Sequence, residues 1–162
     1  MLRSILVLST VLLVSCKVAT TYYVVRHGEK ETNTVTSDVA LSEAGKQRAE
    51  ALKEILKNEN IKFIYSTNYI RTRATVQPLS DAINIPVQIY NPTDTSFIST
   101  IKNLERGNVL IVGHSNTVDD LVNRLLGTKQ IASDLQDSEY GDLFVVKRKK
   151  GKYSFERKRF GN

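Results

Sequence analysis

Twice in this chain a run of β-branched and aromatic residues empties into a histidine with no polar spacer. Thr21-Tyr22-Tyr23-Val24-Val25 leads into Arg26-His27-Gly28, and Asn108-Val109-Leu110-Ile111-Val112 leads into Gly113-His114. Short apolar runs of this kind predict strands buried on both faces of a parallel sheet. Parallel neighbours would deliver both imidazoles to the carboxyl edge, where open α/β sheets place their ligands. The chain has no other histidine. One histidine at a strand end is as readily a core residue as a functional one. Two, with Arg26 beside the first, point to a site.

Helical patterns alternate with the strands. Leu41-Ser42-Glu43-Ala44-Gly45 opens a helix with Ser42 as its N-cap and Ala49, Leu52, Ile55 and Leu56 at helical spacing. Gly45 in the first turn costs about 1 kcal/mol relative to Ala, so close packing is expected there. A strand follows over 61–65, then a helix over 68–83 in which Pro78 should start a fresh turn or a kink. A short strand over 86–90 and a turn-rich loop over 91–95 precede a helix capped by Ser96 and stopped by Gly107. After His114, Asn116 or Thr117 should cap a helix that Gly127 closes. Residues 143–149 and 152–158 form a hairpin around Lys150-Gly151. The order predicts a three-layer α/β/α fold with a mainly parallel six-stranded sheet and an antiparallel C-terminal edge hairpin.

A length of 162 residues, 41% hydrophobic and 25% charged, fits one ordinary globular domain. The formal charge of +6 is local, because Lys147 to Arg159 holds eight basic residues against Glu156. That tail reads as a solvated edge strand, as a contact for anionic lipid headgroups, or as a nucleic-acid surface. No nucleic-acid reader fold accompanies it, so nucleic acid is not an expected partner.

Arg3 followed by the apolar run Ile5–Val14 reads as a short export signal. It ends in Leu13-Val14-Ser15-Cys16, which resembles the lipobox of bacterial lipoproteins. The resemblance implies a signal peptide over 1–15, lipidation of Cys16, a tether over 16–20 and a domain over 21–162. It implies a membrane-anchored protein of the bacterial cell envelope, outside the cytoplasm. Cys16 is the only cysteine, so the chain forms no internal disulfide.

Arg26-His27-Gly28 resembles the signature of the histidine phosphatase superfamily, whose fold is that of phosphoglycerate mutase. Leu41-Ser42-Glu43-Ala44-Gly45 is similar to the family's Leu-Thr-x-x-Gly, and Tyr65 to Thr75 is similar to the block that carries its helix arginine. Val112-Gly113-His114-Ser115 resembles the second-histidine block. The resemblance implies that His27 is a nucleophile forming a phosphohistidine. It implies that Arg26 and Arg71 clamp phosphoryl oxygens, that His114 donates to them, and that Gly28 lets the backbone pass close to the phosphate. The expected activity is hydrolysis of small or exposed phosphomonoesters. No metal or cofactor is expected, since both histidines are assigned and there is no thiol pair.

The proton donor to the leaving group is less constrained. Asp94, in the loop after a strand, is the candidate, and Ser115 excludes the branch with Asp directly after the second histidine. Arg73 reads as a surface helix residue, and Asp119 and Asp120 as partners of the helix dipole. The short span between Arg71 and His114 leaves no room for a large cap, which disfavours mutase-type transfer because a mutase must shield its phosphohistidine. A catalytically weak phospho-ligand binding protein of the envelope is the rival from another class.

Overall fold

The computed structural model describes residues 19–32, 36–104 and 106–161. The predicted signal peptide and Cys16 lie outside the described residues, and the first described strand starts at Thr20. Six strands and four helices follow in the expected order. They are β1 (Thr20–Arg26), α1 (Glu43–Leu56), β2 (Ile61–Ser66), α2 (Ile70–Ile83), β3 (Val87–Ile89), α3 (Phe97–Lys102), β4 (Asn108–Gly113), α4 (Val118–Leu126), β5 (Asp142–Lys149) and β6 (Lys152–Arg159).

They form one sheet in the order β3-β2-β4-β1-β5-β6. The first four strands in that order are parallel, and β5 and β6 run antiparallel as an edge hairpin. β1 and β4 are neighbours with Arg26 opposite Gly113. The ladder continues one residue further through His27 N–H to the Gly113 carbonyl at 3.0 Å. The two strand-to-histidine runs are thus side by side and in register.

Alternation along the strands builds a core on each face. Tyr22 and Val24 join Val109, Ile111, Phe144, Leu121 and Leu125 on the side of α3 and α4. Tyr23 and Val25 join Leu110, Val112, Leu52 and Leu79 on the side of α1 and α2. β1 is therefore apolar on both faces because helices cover both.

Several local expectations hold and several shift. The Ser42 hydroxyl caps α1 by accepting from Gly45 N–H at 3.2 Å. Gly127 ends α4 at φ 74°. Lys150 and Gly151 both have positive φ, the signature of a two-residue primed hairpin turn. α2 runs through Pro78 to Ile83. Ser96 makes no side-chain cap; instead the Asp94 carboxylate accepts from Ser96 N–H at 2.8 Å. Thr117 stands at the α4 N-cap but turns its hydroxyl back to accept from His114 N–H at 2.9 Å.

The basic tail is not one surface. β5 and β6 are antiparallel, so Lys149 and Lys152 meet at one end and Asp142 and Arg159 at the other. At that second end Arg157 is held by Asp142 and Glu139, each at 2.6 Å.

Candidate active site

His27 leaves β1 with its main chain already fixed by the sheet. Its Nδ1 lies 2.7 Å from the Gly28 carbonyl oxygen. A carbonyl only accepts, so Nδ1 carries the proton and the Nε2 lone pair is free. The Gly28 amide donates to Thr75 Oγ1 at 2.9 Å. A Cβ on Gly28 would lie 2.8 Å from the Gly45 carbonyl oxygen, and one on Gly45 would lie 2.1 Å from that of Glu29. The two glycines let the first turn of α1 press against the 28–29 backbone. Gly28 is constrained by its packing on Gly45, and its amide is taken by Thr75.

His114 leaves β4, and its ring centroid is 5.4 Å from that of His27, edge to face at 67°. Arg71, on the first turn of α2, places Nη2 3.3 Å from His114 Nδ1. A guanidinium only donates, which makes Nδ1 an acceptor and puts the neutral proton on Nε2. Nε2 is 2.9 Å from Thr67 Oγ1. The Thr67 hydroxyl passes its own proton to Thr72 Oγ1 at 3.1 Å, and Thr72 donates on to the Thr67 carbonyl at 2.8 Å. A short relay at the end of β2 thus sets the tautomer of the second histidine.

Each arginine lies over a tyrosine. Arg26 stacks at 4.0 Å on Tyr140 and Arg71 at 4.5 Å on Tyr69. Tyr140 is 6.0 Å from the His27 ring, and Tyr69 is 4.9 Å from that of His114. Arg26 is 4% exposed. It donates to the Gln136 carbonyl at 2.8 Å and faces the Asp137 carboxylate at 3.6 Å. Arg71 faces Asp38 at 3.7 Å. Neither carboxylate is a tight partner, and the Nε–H of both arginines is buried with no acceptor among the described residues. Buried donors left without partners are rare in folded proteins. Here two of them belong to cations beside two imidazoles, the electrostatics of an anion pocket.

The field also sets the imidazole charge. Burial pushes His27 down to about 4; the Gly28 carbonyl opposes this, and Arg71, His114 and Arg26 reinforce it. Burial and the guanidinium groups of Arg71 and Arg26 likewise push His114 down to about 4, against Asp38. Both rings are neutral at physiological pH. A neutral His27 presents an open Nε2 lone pair, the form that nucleophilic attack requires.

The sequence-predicted Arg26, His27, Arg71 and His114 converge. Asp94 does not join them. Its carboxylate caps the turn before α3 and lines a hollow with Asn116, Thr117 and Asp120. The amide and hydroxyl of Ser96 hold its carboxyl below the usual range, which suits a fixed anion better than a proton donor. The carboxylates that face the arginines are Asp38, which also accepts from Ile70 N–H at 2.8 Å, and Asp137. Sequence reading passed over both, along with Thr67, Tyr69 and Tyr140. Asp38 and Tyr140 come from loops without periodicity. The usable signal for Thr67 was its place directly after a strand that empties at the same sheet edge. Arg73 is exposed and binds Asn68 at 2.8 Å, as a surface residue should.

Residues 22–91 match the sequence model of the histidine phosphatase superfamily, branch 1. No curated protein matches the chain in sequence. Among solved structures, a mycobacterial glucosyl-3-phosphoglycerate phosphatase is similar with a TM-score of 0.63 at 13% identity, covering 85% of this chain and 97% of the other. The phosphoserine phosphatase of Entamoeba histolytica, solved as a mutant with phosphoserine, gives 0.62 at 15%, covering 88% and 97%. A protein assigned as the phosphohistidine phosphatase SixA of Agrobacterium tumefaciens gives 0.59 at 20%, covering 85% and 97%. At these identities the structures establish a shared fold. Residues 22–91 are thus similar in sequence to the histidine phosphatase superfamily, and the chain shares the fold of these solved phosphatases.

Proposed function

We propose that the protein hydrolyses phosphomonoesters through a phosphohistidine on His27. The observation that carries this reading is the pair of buried arginine Nε–H groups, unpartnered among the described residues, beside two neutral imidazoles. An incoming phosphoryl dianion supplies the missing acceptors, and the two guanidinium forks hold its oxygens. His27 Nε2 forms a bond to phosphorus as the ester oxygen leaves with its electron pair and takes up a proton. Water then attacks the phosphohistidine, releasing inorganic phosphate and restoring the lone pair.

His114 answers to the same charge. In the ligand-free site Arg71 donates into its Nδ1. The dianion draws the Arg71 fork toward its own oxygens and raises the pKa of the ring beside it. A protonated Nδ1 then donates to the oxygens as charge redistributes. Turnover of an aryl phosphate tests the proposal. His27→Ala is expected to lower kcat by at least about 10³-fold. Equal inactivity of the wild type and this variant across a broad phosphomonoester panel defeats it, and phosphoryl exchange outrunning hydrolysis would mark a mutase.

The finer reading is of a lipid-anchored enzyme of the bacterial cell envelope, held through Cys16 outside the cytoplasm and acting on phosphorylated small molecules. The apolar run before Leu13-Val14-Ser15-Cys16 supports it. The expected result is an acylated Cys16 and detergent-phase partitioning that Cys16→Ala abolishes. An unmodified thiol in the wild type would refute it.

A further inference from the structure

Resting on the lipid-anchored reading, we infer that the tip of the β5–β6 hairpin is the surface by which the domain lies on an anionic bilayer, with the phosphate pocket facing away from it. The register of the sheet carries the argument. Thr20, where the chain enters the fold, pairs with Arg148, and Arg148 pairs with Tyr153. The N-terminal segment and the turn at Lys150-Gly151 therefore leave the sheet at the same end. Arg26, Gly113 and Ser66 end their strands at the opposite edge, where the site is built. Seven residues of β1 separate the two ends, about 20 Å at the usual strand rise.

The charge follows the same division. Lys147, Lys149, Lys150 and Lys152 are exposed and form no ion pair among the described residues. Further along β6, Arg157 and Lys158 are paired with Asp142, Glu139 and Glu156, and Arg159 alone stands exposed without an ion pair among the described residues. Arg148, between the free lysines, is turned inward and holds the carbonyls of Lys102 and Leu104, so it braces the tip rather than adding to its surface. The unneutralised lysines thus lie on the β5–β6 side of the point where the predicted tether emerges. Such a cluster is attracted to anionic headgroups, each lysine near the surface strengthening binding about fivefold. Only a few residues lie between Cys16 and Thr20, so the tether holds this end against the bilayer and leaves little freedom to turn. The pocket then opens to the aqueous phase. Its substrates are water-borne phosphomonoesters, not the headgroup phosphates of the membrane that carries it.

The full chain reconstituted into phosphatidylcholine vesicles, and into vesicles of about 3:1 phosphatidylcholine to phosphatidylglycerol, tests this. A fluorophore on a cysteine introduced by Lys152→Cys (tip) or Ser138→Cys (site end) reports energy transfer to a headgroup acceptor. On anionic vesicles strong transfer is expected from position 152 and weak transfer from 138, and K147E/K149E/K150E should erase the contrast. Equal transfer from both positions, or a wild-type pattern in the triple variant, overturns the inference. A free Cys16 thiol would count against the anchor alone. In that case sedimentation decides: the unanchored wild type should bind anionic vesicles about a hundredfold more tightly than the triple variant, and equal binding overturns the inference. The triple variant should hydrolyse a soluble aryl phosphate at the wild-type rate; inactivity of the wild type itself would speak against the hydrolase reading and not against the tip.

Discussion

At the scale of single residues, two histidines become different tools through their hydrogen bonds. The Gly28 carbonyl fixes the His27 proton on Nδ1, while Arg71 and Thr67 fix that of His114 on Nε2. Because burial depresses both pKa values to about 4, the ring protons should titrate by NMR near 4 rather than near 6.5. The stability consequence has a definite sign. Between pH 6.5 and 4 the unfolded chain binds protons that the folded imidazoles refuse, so stability is full above 6.5 and falls as the pH drops toward 4. For buried His27 alone the loss is on the order of 3 kcal/mol, measurable by urea unfolding at the two pH values. Thr67→Val, which breaks the relay, should lower kcat roughly tenfold with little change in KM, and Thr67→Ser should restore it. Asp94→Asn should leave kcat within about twofold, because among the described residues no hydrogen bond or ion pair joins Asp94 to His27, His114, Arg26 or Arg71. Arg26, His27, Arg71 and His114 were legible because each stands beside a strand end or inside an ordered motif. Asp38, Tyr69 and Tyr140 act through tertiary contacts from a loop, a helix entry and another loop, and local pattern carries no record of such contacts.

At the scale of elements, the site depends on how closely α1 approaches the end of β1. Gly45 was flagged by its helix-propensity cost, and the structure supplies the reason: a Cβ there would fall on the Glu29 carbonyl. Gly45→Ala should therefore destabilise the fold by about 1–3 kcal/mol as the backbones are forced apart, lowering Tm by several degrees and kcat with it. Calorimetry and turnover on the same sample check both. Strands and helices were readable because buried strands and amphipathic helices differ in period. Ser42 and Gly127 were readable as caps, but the hydrogen bonds of Asp94, Ser96 and Thr117 were not, since all three are capable caps. Their roles were decided by which donor lay nearest, Ser96 N–H for Asp94 and His114 N–H for Thr117.

At the scale of the whole molecule, the β3-β2-β4-β1-β5-β6 order places every catalytic strand end on one edge and the chain's entry on the other. The composition registered only a basic tail; antiparallel pairing sends its lysine-rich turn to the entry end and its paired arginine toward the site. That polarity is a property of topology, invisible in charge counts. The central claim is that phosphoryl transfer runs through His27, and trapping the intermediate tests it most directly. Enzyme quenched in alkali during turnover of an aryl phosphate, then digested and mass-mapped, should carry an acid-labile phosphoryl group on the peptide containing His27. His27→Ala should carry none. A wild type that turns over without that adduct, or an adduct on His114 instead, would contradict the account.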